Sequence, residues 1–166
     1  MKLLRIINEN NFEPQDYTIR KVVRALIVDE TSKKILFFGN HLIGGGVEEK
    51  ETDEDALHRE AMEEAGAEVE IIKSLGEVIA YGDYTKKKYI VHGYLCKLTA
   101  KLGKPTTLDP EEQKQKIQWL EIPLAINKLE DAIQLLSSQY KLISKDTSLQ
   151  NQINNRKTSL IFLQEI

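Results

Sequence analysis

Three consecutive glycines, Gly44 to Gly46, run almost directly into a strongly acidic segment, Gly44 to Ala67, whose sequence is GGGVEEKETDEDALHREAMEEAGA. From about Thr52 to Ala65 this segment has the residue choice of a helix. Leu57, Ala61 and Ala65 recur at helical spacing and form one apolar stripe. A helix with so narrow a stripe needs an apolar surface to lie on, and the sequence on both sides of it is strand-like. Tyr17 to Glu30 (YTIRKVVRALIVDE) is rich in β-branched residues and ends in the turn-prone DETSKK, and Lys34 to Phe38 (KILFF) suits its hairpin partner. After the helix come EVEIIKSLGEVIAY and KKKYIVHGYLCKLT, joined by GDYT, and then a strand around KIQWLEI. KLLRII near the start is a further short strand. Pro123 suits the first turn of a helix over PLAINKLEDAIQLLSSQ, and the end, LQNQINNRKTSLIFLQEI, also reads as helical. These elements predict an α/β chain with a mixed sheet flanked by helices, a single domain over residues 1–166.

The acidic helix admits two readings. Glu60, Glu63 and Glu64 stand at i, i+3 and i+4, within an arc of about 100°. Like charges at that spacing repel, and a merely solvated helix usually intersperses lysines to offset them. This one offers only Arg59, placed to pair with Glu63 or Asp55. Carboxylates converging with no cationic side chain between them suit a hard divalent cation, Mg²⁺ or Mn²⁺, which takes oxygen ligands. The glycines permit close backbone approach, so a main-chain carbonyl there is a further candidate ligand. On charge pattern alone, an acidic surface helix behind a glycine turn is the competing reading.

The full spacing narrows the choice. Gly45, five residues, Glu51, seven residues, Arg59-Glu60, two residues, Glu63-Glu64, one residue, Gly66: this resembles the Nudix box, G-x5-E-x7-R-E-U-x-E-E-x-G-U, with every fixed position matched. The bulky aliphatic U positions are alanine here, Ala61 and Ala67, which implies thinner packing of the helix on its sheet. Ile43 stands where the family often has proline, and Lys50 where it often has glycine; neither removes a carboxylate.

The resemblance implies a Nudix-type α/β/α sandwich and a MutT-like hydrolase that cleaves a diphosphate linked to another moiety, usually a nucleoside diphosphate derivative, using Mg²⁺ or Mn²⁺. Carried over by position, it implies Glu60, Glu63 and Glu64 as metal ligands, with Glu60 or Glu64 as base, and Gly44 or Gly45 as carbonyl donor. Glu51 and Arg59 would hold loop and helix together, with Gly45, Glu51 and Gly66 as the structural box; Arg59 equally suits a simple helix salt bridge. Relatives often draw a further ligand from a loop after the box, where Glu111 and Glu112 are candidates, unless both are solvated loop acids. Arg24 is a candidate for a substrate phosphate or an outward salt bridge. Trp119 suits core or base stacking, and Tyr84 stands where some relatives place a substrate-contacting aromatic. A Nudix-fold module that binds or senses a nucleotide without turnover is the alternative.

Charge and composition limit partners. A formal charge of -3 and a pI near 5.7 carry no basic stripe, so neither dedicated nucleic-acid binding nor membrane-surface binding is expected. Lys86 to Lys88 reads as an exposed hairpin tip. A lone cysteine, Cys96, excludes an internal disulfide and a thiolate zinc site, and suits a small apolar core residue. No signal-peptide-like run and no stretch of eighteen apolar residues occurs, so a cytoplasmic location is the expectation. A small nucleotide substrate is the expected partner, and a homodimer is left open.

Overall fold

The structure is a computed structural model and describes residues 1–8, 16–29, 31–82, 85–142 and 147–166. Its centre is a six-stranded mixed sheet in the order β1-β4-β5-β2-β3-β6. The strands are β1 (Leu3–Ile7), β2 (Thr18–Asp29), β3 (Lys34–Phe38), β4 (Val69–Gly82), β5 (Lys87–Leu98) and β6 (Ile117–Glu121); the helices are α1 (Asp53–Ala65), the single turn α2 (Pro110–Gln113), α3 (Ile122–Leu142) and α4 (Thr147–Leu163).

The long strands β2 and β5 lie side by side and parallel, from Thr18 beside Lys87 to Val28 beside Lys97. β4 and β5 form an antiparallel hairpin, β3 joins β2 through only Val28–Ile35 and Asp29–Lys34, and β1 runs parallel to β4 at one edge. Residue alternation along β2 sorts its side chains between the two faces. Val22 and Leu26 enter a core completed by Ala125 and Leu129 of α3 and Phe162 and Leu163 of α4. Val23, Ala25 and Ile27 face the opposite way, against Ala56, Leu57, Ala61 and Ala65 of α1. The result is the expected sandwich, with α1 on one face and α3 and α4 on the other.

The first-turn acids Asp53, Glu54 and Asp55 and a capping box start α1. The Thr52 hydroxyl accepts from the Asp55 amide at 3.1 Å, and the Asp55 carboxylate accepts from the Thr52 amide at 3.1 Å. Gly66 ends the helix in a left-handed conformation, its amide donating to the Met62 carbonyl at 2.9 Å. Leu57 is fully buried, a contribution of about 1.5–3 kcal/mol relative to exposure. Ala61 and Ala67 are buried as well, so the small residues at these positions bring helix and sheet close together without opening them to solvent.

Two local readings need adjustment. The polar segment read as a loop between β5 and β6 contains α2, capped by Asp109, whose carboxylate accepts from the Glu111 amide at 2.8 Å. Of the lysines read as a hairpin tip, only Lys86 precedes β5, with a left-handed backbone, while Lys87 and Lys88 are residues of the strand itself. Cys96 is buried in the core facing α1, which pushes its thiol up to about 12. Among the described residues no helix is long and apolar enough to cross a membrane.

Candidate active site

The glycine loop is stitched along β2 ahead of α1. Ala25 donates its amide to the Ile43 carbonyl at 2.8 Å, Val23 to the Gly45 carbonyl at 2.9 Å, and Val47 returns a bond to the Lys21 carbonyl at 3.1 Å. Gly44 sits between these bonds with φ of 130°, and a Cβ there would lie 2.2 Å from the Val23 carbonyl oxygen. Only glycine suits that position. A Cβ on Gly45 would lie 2.4 Å from Glu60 Oε1, so the loop backbone is in direct contact with a helix carboxylate.

Two of the glutamates are turned inward. Glu60 is 9% and Glu64 4% exposed, while Glu63 is half-buried. Glu64 Oε2 accepts a hydrogen bond from the Gly44 amide at 2.8 Å. Burial pushes the Glu64 carboxyl up to about 8, against the opposing pull of Arg24 and of the Gly44 amide. Burial raises Glu60 too, against the attraction of Arg59.

Arg59 corrects the expectation of carboxylates with no cation between them. Its Nη1 donates to Glu60 at 2.8 Å and to Glu63 at 3.3 Å, while Nε and Nη2 grip Glu51 at 2.7 and 3.0 Å. Nη2 also donates to the Gly46 carbonyl at 2.9 Å. The guanidinium thus ties loop to helix and neutralises one side of the acidic face, as its planar fork of donors allows. The hydrogen bonds from Arg59 hold Glu51 down at about 2. Asp55, the other partner considered for Arg59, is used by Thr52 instead. Among the described residues no three acidic, histidine or cysteine side chains converge into a ready metal cage.

Glu112 and Glu111 part ways. Glu112 lines a cavity of about 480 Å³ together with Glu64, Phe38 and Lys104, and its charge helps to raise the Glu64 carboxyl. Its carboxylate also accepts a hydrogen bond from the Thr107 hydroxyl. Glu111 is exposed and pairs with Lys114 at 2.5 Å.

On the other side of the glycine loop lies a cavity of about 260 Å³ lined by residues of β2, β4, β5 and α4. Arg24 belongs to this wall. It is neither outward-facing nor exposed: at 6% exposure it shares the face of Val22 and Leu26, and its Nη2 donates to Asn155 Oδ1 at 3.4 Å. Burial lowers its pKa, while Glu64 and Glu60 pull it back up. Arg20, one turn of strand alternation away and exposed, lies against Gly46 at the same cavity. Sequence reading missed Arg20, Tyr89 and the α4 residues Asn151, Asn154, Asn155 and Thr158. The available signals were the i, i+4 pair Arg20 and Arg24 and the asparagines in NQINNRKTS, an unusual choice for a helix interior. Tyr84 lies outside the described residues. Trp119, on β6, packs half-buried at the rim of the α1-side core.

The start of α1 is pinned to the sheet by a polar cluster. The Tyr94 hydroxyl donates to Asp53 at 2.7 Å, and the His92 ring bridges Asp53 and Glu77, with 3.1 Å to the latter. Burial alone would raise Asp53, but the His92 and Tyr94 hydrogen bonds bring it below its usual value.

The sequence profile of the NUDIX domain matches residues 19–140, which contain the glycine loop, α1 and the whole sheet except β1. The chain belongs to the Nudix family. Its class of chemistry is that of a Nudix pyrophosphohydrolase. Solved Nudix-type structures share the fold at low identity. The E. coli ORF135 protein is 19% identical with a TM-score of 0.54, over 70% of this chain and 83% of that one. A Nudix hydrolase from Nitrosomonas europaea is 18% identical with a TM-score of 0.53, over 69% and 88%. A MutT protein from Methanosarcina mazei is 20% identical with a TM-score of 0.50, over 66% and 82%. No curated protein matches the chain by sequence.

Proposed function

We propose that this Nudix protein is a metal-dependent hydrolase that cleaves the diphosphate bond of a nucleoside diphosphate linked to another moiety. The observation that carries the reading is the pair of buried carboxyls, Glu60 against Gly45 and Glu64 on the Gly44 amide, set between two cavities. A carboxyl buried until its proton affinity reaches neutral pH has too little positive charge around it. A divalent cation supplies that charge, and the donors here are all oxygen, the set Mg²⁺ and Mn²⁺ take.

Glu60, Glu63 and Glu64 would hold the metal. Of the two candidate carbonyls, Gly45 already accepts from Val23, which favours Gly44 as the donor. Glu112, which lines the same cavity as Glu64, would complete the set, and Glu111, exposed and paired with Lys114, would not. When bound, the metal offsets the negative charge of a diphosphate and acidifies water. Arg59 keeps Glu60 and Glu63 oriented through two of its hydrogen bonds and anchors the loop through the other three. A water oxygen attacks phosphorus, its proton passes to Glu60 or Glu64, and the bridging P–O bond breaks with the pair leaving on the departing phosphate. Arg20, exposed beside Gly46, is available to a phosphate oxygen at the loop.

The test is phosphate and nucleotide release from a panel of nucleoside diphosphate derivatives with Mg²⁺ or Mn²⁺, with and without chelator. Chelator-sensitive release from at least one member is expected. A blank panel, with a melting temperature indifferent to millimolar Mg²⁺ and Mn²⁺ in both wild type and a Glu63→Gln/Glu64→Gln double variant, would sink the reading.

A further inference from the structure

The chain between β5 and α2 crosses the end of α1 and is bonded to it. Ala67 turns its amide back to the Ala61 carbonyl at 3.0 Å, which leaves the Glu63 carbonyl without a partner inside the helix. Two amides of the crossing segment fill it, Thr106 at 3.1 Å and Thr107 at 3.0 Å, and Gly103 donates to the Gly66 carbonyl at 2.7 Å. A Cβ on Gly66 would lie 2.6 Å from the Gly103 carbonyl carbon, so segment and helix end are in direct contact. The backbone at Thr107 therefore shares a frame with the helix that carries Glu60, Glu63 and Glu64.

Thr107 has a partner for each of its polar groups. Its amide goes to Glu63, its carbonyl accepts from Gln113 Nε2 at 3.0 Å, and its Oγ1 accepts from the Asp109 amide at 3.2 Å. The hydroxyl proton is left, and it is donated to the Glu112 carboxylate, which can only accept. Glu112 needs such a partner, because α2 is a single turn and a single turn has little stability of its own. Glu111, on the same turn, has no bond to the crossing segment and turns to Lys114 in solvent. The Thr107 bond thus separates the glutamate that lines the cavity of Glu64 from the one that does not.

We propose that Thr107 is a positioning residue: its hydroxyl fixes the Glu112 carboxylate in the cavity of Glu64, and its amide ties that carboxylate to the helix bearing the other three glutamates. A free glutamate side chain loses rotamer freedom when it takes a ligand, and a carboxylate already held in place loses less. The β-branch of threonine restricts χ1 and so keeps the hydroxyl aimed. The effect falls on metal affinity, with the proton transfers left to the helix glutamates. The proposal rests on the metal-dependent hydrolase reading for what Glu112 does, but metal binding is measured without turnover.

Mn²⁺ binding to the full chain, read from the paramagnetic resonance of the free ion, is compared with melting temperature across five proteins: wild type, Thr107→Val, Thr107→Ser, Glu112→Gln and the Thr107→Val/Glu112→Gln pair. Valine keeps the branched shape and removes the hydroxyl, and serine keeps the hydroxyl. Thr107→Val should weaken Mn²⁺ binding about tenfold, the scale of losing the partner of a metal ligand, while Thr107→Ser stays within about twofold of wild type. In the Glu112→Gln background valine should weaken binding no further, because the carboxylate it acts through is gone. A merely structural threonine would lower the melting temperature and leave binding as it was. Wild-type Mn²⁺ affinity in Thr107→Val, or an equal loss with and without the Glu112 carboxylate, would overturn the proposal. Should the valine variants not fold, the wild type decides: the Thr107 hydroxyl proton should give a slowly exchanging NMR resonance in contact with the Glu112 side chain, and its absence overturns the proposal. The expected Mn²⁺ pattern with a blank hydrolysis panel would sustain it and remove the hydrolase reading. Chelator-sensitive hydrolysis with Thr107→Val binding Mn²⁺ as wild type does would do the reverse.

Discussion

The Gly44 amide and the Glu64 carboxylate are joined by a 2.8 Å hydrogen bond across twenty residues of sequence, and that bond closes the glycine loop onto the acidic helix. Glu64 is otherwise so buried that its carboxyl is pushed up to about 8, which makes it the most informative side chain to alter.

Replacing it by Gln keeps size and removes charge and basicity. Glu64→Gln should lower kcat by about 10² or more, the scale of losing a positioned base or metal ligand. The amide oxygen still accepts from Gly44, and a buried carboxyl is relieved, so the fold should hold. Glu54→Gln is the control on the same helix: Glu54 faces solvent beside His58, and its activity should stay within about twofold of wild type. Equal small losses in the two, with circular dichroism showing both folded, would mean the acidic face is not catalytic.

The same burial sets a pH dependence. Glu64 has a folded pKa raised above its unfolded value of 4.5, so the native state holds a proton that the unfolded chain releases between about 4.5 and 8. Its contribution to stability is therefore full below that window and is lost as pH rises through it. Without metal, the melting temperature of wild type minus that of Glu64→Gln should decline across this range. With Mg²⁺ the decline should flatten, since cation and proton compete for one carboxylate. A difference that is flat without metal would show that Glu64 ionises normally.

Glu112 and Glu111 are neighbours in sequence and opposites in placement. Glu112→Gln should lower kcat/KM by about tenfold or more through the metal site, and Glu111→Gln should leave it near wild type. The measurement is kcat/KM against Mg²⁺ concentration for both variants. Parallel curves would exclude Glu112 from the site.

Arg59→Lys preserves charge and loses the fork that grips Glu51 with two bonds while reaching Glu60, Glu63 and the Gly46 carbonyl. Lysine cannot make that set. We expect a lower melting temperature and about a tenfold fall in kcat/KM, both read on purified protein. A lysine variant with wild-type values would reduce Arg59 to an ordinary helix ion pair.

Gly44→Ala probes the loop itself. The new methyl would collide with the Val23 carbonyl at a backbone conformation alanine avoids, so a loss of about 1–3 kcal/mol in unfolding free energy is expected from denaturant titration. A neutral substitution would show that the loop has another conformation available.

What the sequence determined by itself was local. The strand segments, the extent of α1 and the box spacing all depend on residues a few positions apart, and periodicity records such relations directly. Glu60 and Glu64 could be placed on one helix face for the same reason. Tertiary structure decided whatever depends on which distant segments meet. The parallel pairing of β2 with β5, the turning of Arg24 into the wall of a cavity beneath α4, and the presence of Glu112 but not Glu111 in the cavity of Glu64 leave no periodic mark. Arg59 is the plainest case. Its helix neighbours suggested Glu63 or Asp55, but the loop folding back on α1 brought Glu51 and the Gly46 carbonyl within reach, and a fork of donors takes the partners that geometry supplies. Arg24 Nη1 and Asn154 Oδ1, buried without a hydrogen-bond partner among the described residues, belong to the same class, because satisfaction of a polar group is a property of its surroundings in the folded chain.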